Sequence, residues 1–167
     1  MIALEITNVK EFMNTLLKTE TFDHFLLQEA IIKGAASYVI DGHVTPGFYS
    51  DEEVDALGIK DYSILPFSML RGNCFDLIKG KKTPSSFKFI FLLSPSNLEK
   101  TLASCDSSYT SNDITGMFIN IKYQNQLLTL TTGVSYRTFS TDKSLDGAWD
   151  LLVQKLLSQH HIAFEEL

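Results

Sequence analysis

Long apolar runs, cysteine, proline and positive charge are all scarce in this chain. No stretch approaches the roughly 18 consecutive apolar residues that a membrane-spanning helix needs. The opening MIALEITNVKEF lacks the basic start, long apolar middle and small-residue cleavage site of an export signal, so a cytoplasmic protein with no membrane partner is expected. The 2 cysteines, Cys74 and Cys105, have no C-x-x-C spacing, which argues against a zinc site or redox pair and fits two reduced, core-facing thiols. Lysine and arginine total 14 against 20 acidic residues, for a formal net charge of −6. That balance excludes a chain-wide attraction to nucleic acid or an anionic membrane and leaves only a local basic face.

Chemistry-bearing motifs are missing as well. His24, His43, His160 and His161 share no metal-like spacing with one another or with the cysteines. There is no G-x-S-x-G, and the acidic group Asp51, Glu52, Glu53 and Asp55 does not have the spacing of a calcium loop, reading instead as the solvated start of a helix. No catalytic residue, metal or cofactor is therefore assigned.

What is present is a globular pattern, 44% hydrophobic and 20% charged over 167 residues. A chain of this length buries roughly 70% of its unfolded surface, so a single domain over residues 1–167 is expected. Met1–Ile6 is β-prone, and Val9, Phe12, Met13, Leu16 and Leu17 share one helical face, with Asn8 and Glu11 in the places of a capping box. Phe25–Ile32 and Ser37–Ile40 read as a hairpin. Ser50 and Glu53 repeat the capping-box spacing ahead of one or two exposed helical turns. Phe67, Leu70, Cys74, Phe75 and Ile78 predict a second amphipathic helix, with Pro66 in its first turn and Gly80 at its end.

Phe87, Phe89, Phe91 and Leu93 then alternate as an interior strand, and Ser94-Pro95 opens a third helix. Met117–Tyr123 and Leu128–Tyr136 form a hairpin across Gln124-Asn125. Trp149, Leu152, Val153, Leu156 and Leu157 stripe a last helix capped by Ser144. The expected class is α+β, with antiparallel hairpins packed against four amphipathic helices. Its order, β-α-β-β-α over 1–80 and again over 87–159, has the form of an internal duplication.

The stretch LIKGKKTPSSFKFIF would join those halves. Its GKKT is not a phosphate loop, because that motif needs G-x-x-x-x-G-K-[ST] between a strand and a following helix, whereas here a helix precedes and a strand follows. It leaves a positive cluster of Lys79, Lys81 and Lys82, with Lys88 and Arg71 nearby. Either these lysines complement a helix C-terminus, or they form a docking spot for an anionic partner such as nucleic acid or an acidic protein surface.

In FDHFLLQEAII, IDG, FYSDEE and above all LIKGKKTPSSFKFIFLLSPSNLEK, the chain resembles a family of short bacterial proteins that carries only a domain-of-unknown-function label. That resemblance implies no activity. A second resemblance is topological: sliding DNA clamps are built from duplicated βαβββ units, and the helices NVKEFMNTLL and PFSMLRGNCFDLIK would correspond to their DNA-facing helices. It implies DNA contact through Lys10, Lys18, Arg71 and Lys79.

The expected function is a non-enzymatic binding or scaffold protein, in its most specific form an accessory factor on nucleic acid. The alternative is a small cytosolic enzyme or ligand-binding domain with a pocket between sheet and helices. A homo-oligomer paired through a strand edge is a third arrangement.

Overall fold

The computed structural model describes residues 1–167. Its strands are β1 (Ala3–Ile6), β2 (Leu26–Lys33), β3 (Ser37–Asp41), β4 (Ser86–Leu92), β5 (Ile114–Gln124), β6 (Leu127–Tyr136) and β7 (Phe164–Glu166). All seven join one antiparallel sheet in the order β3-β2-β4-β5-β6-β1-β7. The helices are α1 (Val9–Lys18), α2 (Asp51–Leu57), α3 (Arg71–Ile78), α4 (Pro95–Ser104) and α5 (Ser144–Gln159). The fold is thus α+β as expected, with five helices instead of four. The additional one, α2, buries none of its residues and is held by a capping box between Ser50 and Glu53.

The duplication inferred from element order is not carried into the sheet. β4 lies beside β5, but β1 does not lie beside β2; it crosses the whole sheet to pair with β6 and β7. The segments 1–80 and 87–159 are therefore not equivalent units, and the clamp-like reading loses its structural basis.

Four local expectations also shift. The helix predicted from Phe67 begins as a 3₁₀ turn, Phe67–Met69, and restarts as α3 after Leu70. Backbone bonds from Phe67 N–H to the Phe25 carbonyl (2.8 Å) and from Leu27 N–H to the Leu65 carbonyl (3.0 Å) hold this entry as an extended strap along β2. The β5–β6 turn is Asn125-Gln126, one residue later than expected, with φ of 53° and 64° as a two-residue hairpin turn requires. Ser144 is the first residue of α5 and not its cap; its N–H donates to the Asp142 carboxylate at 2.9 Å. At α1, Asn8 accepts from Glu11 N–H (3.1 Å), but Glu11 returns to the Asn8 amide and not to its backbone. The three-residue β7 is too short to show a period in sequence.

Alternation divides the sheet into two faces. One carries Leu4, Ile6, Ala30, Ile32, Phe87, Phe89, Phe91, Met117, Ile119, Ile121, Leu128 and Leu130, all buried. Over this face pack α1, through Phe12, Leu16 and Leu17; α3, through Cys74; and α5, through Leu145, Trp149, Val153 and Leu157, in one continuous apolar cluster. The opposite face is covered only at one end, where Ile64 and Tyr62 pack on Leu26, Leu92 and Phe118. The rest of that face is open.

Within the IDG motif, Gly42 is fixed by proximity. Its N–H donates to the Gln28 carbonyl (3.1 Å) and its own carbonyl accepts from Leu65 N–H (2.8 Å). A Cβ at this position would lie 1.6 Å from the Leu27 carbonyl oxygen, whereas one at Gly72 in α3 would meet nothing within 4 Å. Gly42→Ala is therefore expected to cost about 3 kcal/mol or more. Gly72→Ala is expected to gain about 0.5–1 kcal/mol. Urea unfolding of the two variants beside the parent checks both signs.

Candidate anion-binding surface

The structure separates the five basic residues singled out from sequence. Arg71, at the start of α3, donates from Nε to Asp23 Oδ1 at 2.8 Å and from Nη2 to Oδ2 at 3.3 Å, while Nη1 reaches the Leu17 carbonyl at 3.5 Å. Asp23 is only 9% exposed, so this bidentate pair staples α3 to the Phe22–Phe25 turn and is not available to a partner. Lys79 pairs with Asp76 at 3.0 Å and lies over the Phe75 ring, as does Lys18 from α1. Lys81 and Lys82 are exposed and have no ion pair.

The connecting segment after α3 is held against β2. Ser85 donates to the Lys33 carbonyl from both its N–H (2.8 Å) and its hydroxyl (2.9 Å). Between this segment, the β2–β3 turn and the end of α3 lies a groove of about 550 Å³. It is lined by Ile32, Ala35, Leu77 and Ile78, with Lys79 and Lys82 also on its surface. The lysine segment is thus both a joint and one side of a groove.

Lys88 belongs to a different part of this surface. It projects from β4 onto the open face, 3.6 Å from Glu29. Directly across on β5 is Lys122, and one row further along β2 is Lys33, whose β4 partner is Ser86. A second hollow of about 270 Å³ is lined by Lys33, Ser86, Lys88, Lys122 and Gln124. Sequence reading missed Lys33 and Lys122 as candidates. The signal that could have found Lys122 is its place in the alternation of β5, where it points away from Ile121 and Tyr123.

Three further reactive groups are committed elsewhere. Burial pushes the Cys74 thiol up to about 12, which keeps it protonated. Burial and a 2.5 Å bond to Asp146 raise the Tyr136 hydroxyl as well. The Asp41 carboxyl is held below its ordinary range, chiefly by the His43 backbone N–H and then by the His43 ring at 2.5 Å. A polar cleft of about 470 Å³ beside α4 includes Asp23, His24, Ser68, Ser94 and Lys100. Its two buried polar members are engaged, Asp23 by Arg71 and Ser94 by the N–H of Asn97 at 3.4 Å. No buried side-chain polar atom lacks a partner, and no group of His, Cys, Asp and Glu is placed to hold a metal. No helix is long and apolar enough to cross a membrane.

In class, this is an α+β protein with a seven-stranded antiparallel sheet, α1, α3 and α5 packed on one face, a groove between α3 and the β2–β3 turn, and a lysine-lined hollow on the open face. The chain belongs to the family of unknown function DUF5721, whose model matches residues 15–165. No curated protein and no solved structure matches it.

Two outcomes follow from the committed groups. Arg71→Met strands a buried carboxylate and is expected to cost about 2–3 kcal/mol, with Arg71→Lys recovering only part because it cannot bridge both oxygens. Denaturant titration of both variants measures this. At pH 8, iodoacetamide is expected to label the half-exposed Cys105 while sparing Cys74 until the chain is unfolded, as intact-mass spectrometry would read.

Proposed function

We propose that this protein is a non-enzymatic binding protein, acting as one domain over residues 1–167, that engages an anionic partner through the lysine-bearing end of its sheet. The most specific form of this reading is a nucleic-acid accessory factor that grips the phosphate backbone. The observation that carries it is the bonding of Ser85 to the Lys33 carbonyl, which ties the segment bearing the unpaired Lys81 and Lys82 to the end of β2 on a chain of net charge −6. A protein acidic elsewhere repels a polyanion everywhere except at such a patch, so the patch sets both the site and the orientation of docking. Arg71, being stapled to Asp23, takes no part.

The test is fluorescence anisotropy with a labelled DNA duplex at low and moderate salt. Binding is expected at about 50 mM salt and is expected to weaken steeply toward about 200 mM, as counterion release dictates. Changing Lys79, Lys81 and Lys82 together to Glu is expected to weaken it about tenfold or more. Absence of binding in both salt conditions removes the nucleic-acid reading, and unchanged affinity in the triple variant removes this cluster from it.

A further inference from the structure

We propose that Lys33, Lys88 and Lys122, on the uncovered face of the sheet, form a built subsite for a phosphate group; this rests on the anionic-partner reading above and extends it to a second patch. The observation is a like-charge pair. Lys88 on β4 and Lys122 on β5 are direct register partners, both on the open face, and Lys33 stands on β2 diagonally across from Lys88. Like charges placed opposite each other on neighbouring strands oppose folding. A chain with 20 acidic residues to distribute places only Glu29 among these lysines, against Lys88, and leaves Lys33 and Lys122 with no ion pair.

The hollow between them suits a tetrahedral oxyanion. Three ammonium groups, the Ser86 hydroxyl and the Gln124 amide offer donors around about 270 Å³, on a surface that no other element covers. After Glu29 offsets one charge, about two positive charges remain. A phosphate group carrying about −1.5 to −2, with three acceptor oxygens, matches that excess, whereas a single carboxylate leaves part of it. Two successive phosphodiesters of a nucleic-acid strand match it equally. The chemistry required is phosphate, free or in a backbone.

The full-length protein is titrated with sodium phosphate, and separately with sodium chloride at equal ionic strength, while backbone amide shifts and the thermal midpoint are followed. Phosphate is expected to move the amides of Lys33, Ser86 to Lys88, and Lys122 to Gln124, and to raise the midpoint above the chloride control. Lys122→Gln is expected to raise the ligand-free midpoint by about 1–3 °C, because it removes the repulsion, and to abolish the phosphate-dependent rise. Lys122→Arg keeps both parent behaviours. On labelled duplex, Lys122→Gln is expected to reduce the log–log salt slope by about 0.9.

Shifts no larger with phosphate than with chloride, or a phosphate response that survives Lys122→Gln, overturn the subsite. A response lost in Lys122→Gln without any duplex binding supports the subsite for free phosphate and sinks the nucleic-acid reading alone. Duplex binding sensitive to Lys81 and Lys82 but not to Lys122, with no phosphate response that depends on Lys122, does the reverse.

Discussion

The packing of Phe87, Phe89 and Phe91 along one face of β4 is the constraint from which the rest of the molecule follows. Phe89 and Phe91 stack at 6.0 Å, Phe67 meets both edge-on, and Phe22 stacks on Phe91 at 5.6 Å before passing the contact to Phe12 in α1. This aromatic chain ties the first helix and the 3₁₀ turn to an interior strand. A slip of one residue in β4 would turn all three rings to the open side and bring Lys88 into the core. The alternation FKFIF therefore sets two things together: what is buried, and which way Lys88 faces.

That division explains why an unfavourable charge arrangement is tolerated on the other side. Burying one phenylalanine is worth about 1.5–3 kcal/mol. A like-charge pair across two strands costs about 0.2–1 kcal/mol. Five phenylalanines, Phe12, Phe22, Phe67, Phe89 and Phe91, are fully buried, so β4 and β5 keep their register whatever Lys88 and Lys122 do to each other. Because the helices cover one face, polar groups of the sheet itself that are free to meet a partner stand on the opposite face and at the sheet ends. The packing that stabilises the sheet is thereby concentrated on one side, and Arg71 belongs to that side through its bond to Asp23.

Much of the fold was legible in the sequence because the governing signals are local. Asn8 and Ser94 cap the helices they precede, and the alternation read over 87–93, 117–123 and 128–136 falls on strands that the structure bounds at 86–92, 114–124 and 127–136. What escaped is non-local. The placement of β1 beside β6 depends on packing between segments more than a hundred residues apart in the ladder Leu4 to Leu130, which no window of sequence contains. Arg71 read as a free cation because its partner stands 48 positions earlier. Lys79, Lys81 and Lys82 were visible as a run, whereas Lys33, Lys88 and Lys122 are brought together only by the pairing of three strands.

The two lysine groups lie at one end of the sheet for a topological reason. β4 runs antiparallel to β2, so its first residue, Ser86, must lie opposite the last residue of β2, Lys33. Any segment entering β4 from α3 has to arrive at that point. The segment that does so leaves α3 through Gly80 at φ +142°, a conformation few other residues adopt. It then buries Pro84 and bonds Ser85 to Lys33. The segment consequently reaches the end of the sheet where β2 finishes at Lys33 and β4 begins its run toward Lys88. The shared end of the two lysine groups is a consequence of strand direction, so a change that altered the path of residues 79–85 would move Lys79, Lys81 and Lys82 while strand pairing kept Lys33, Lys88 and Lys122 together.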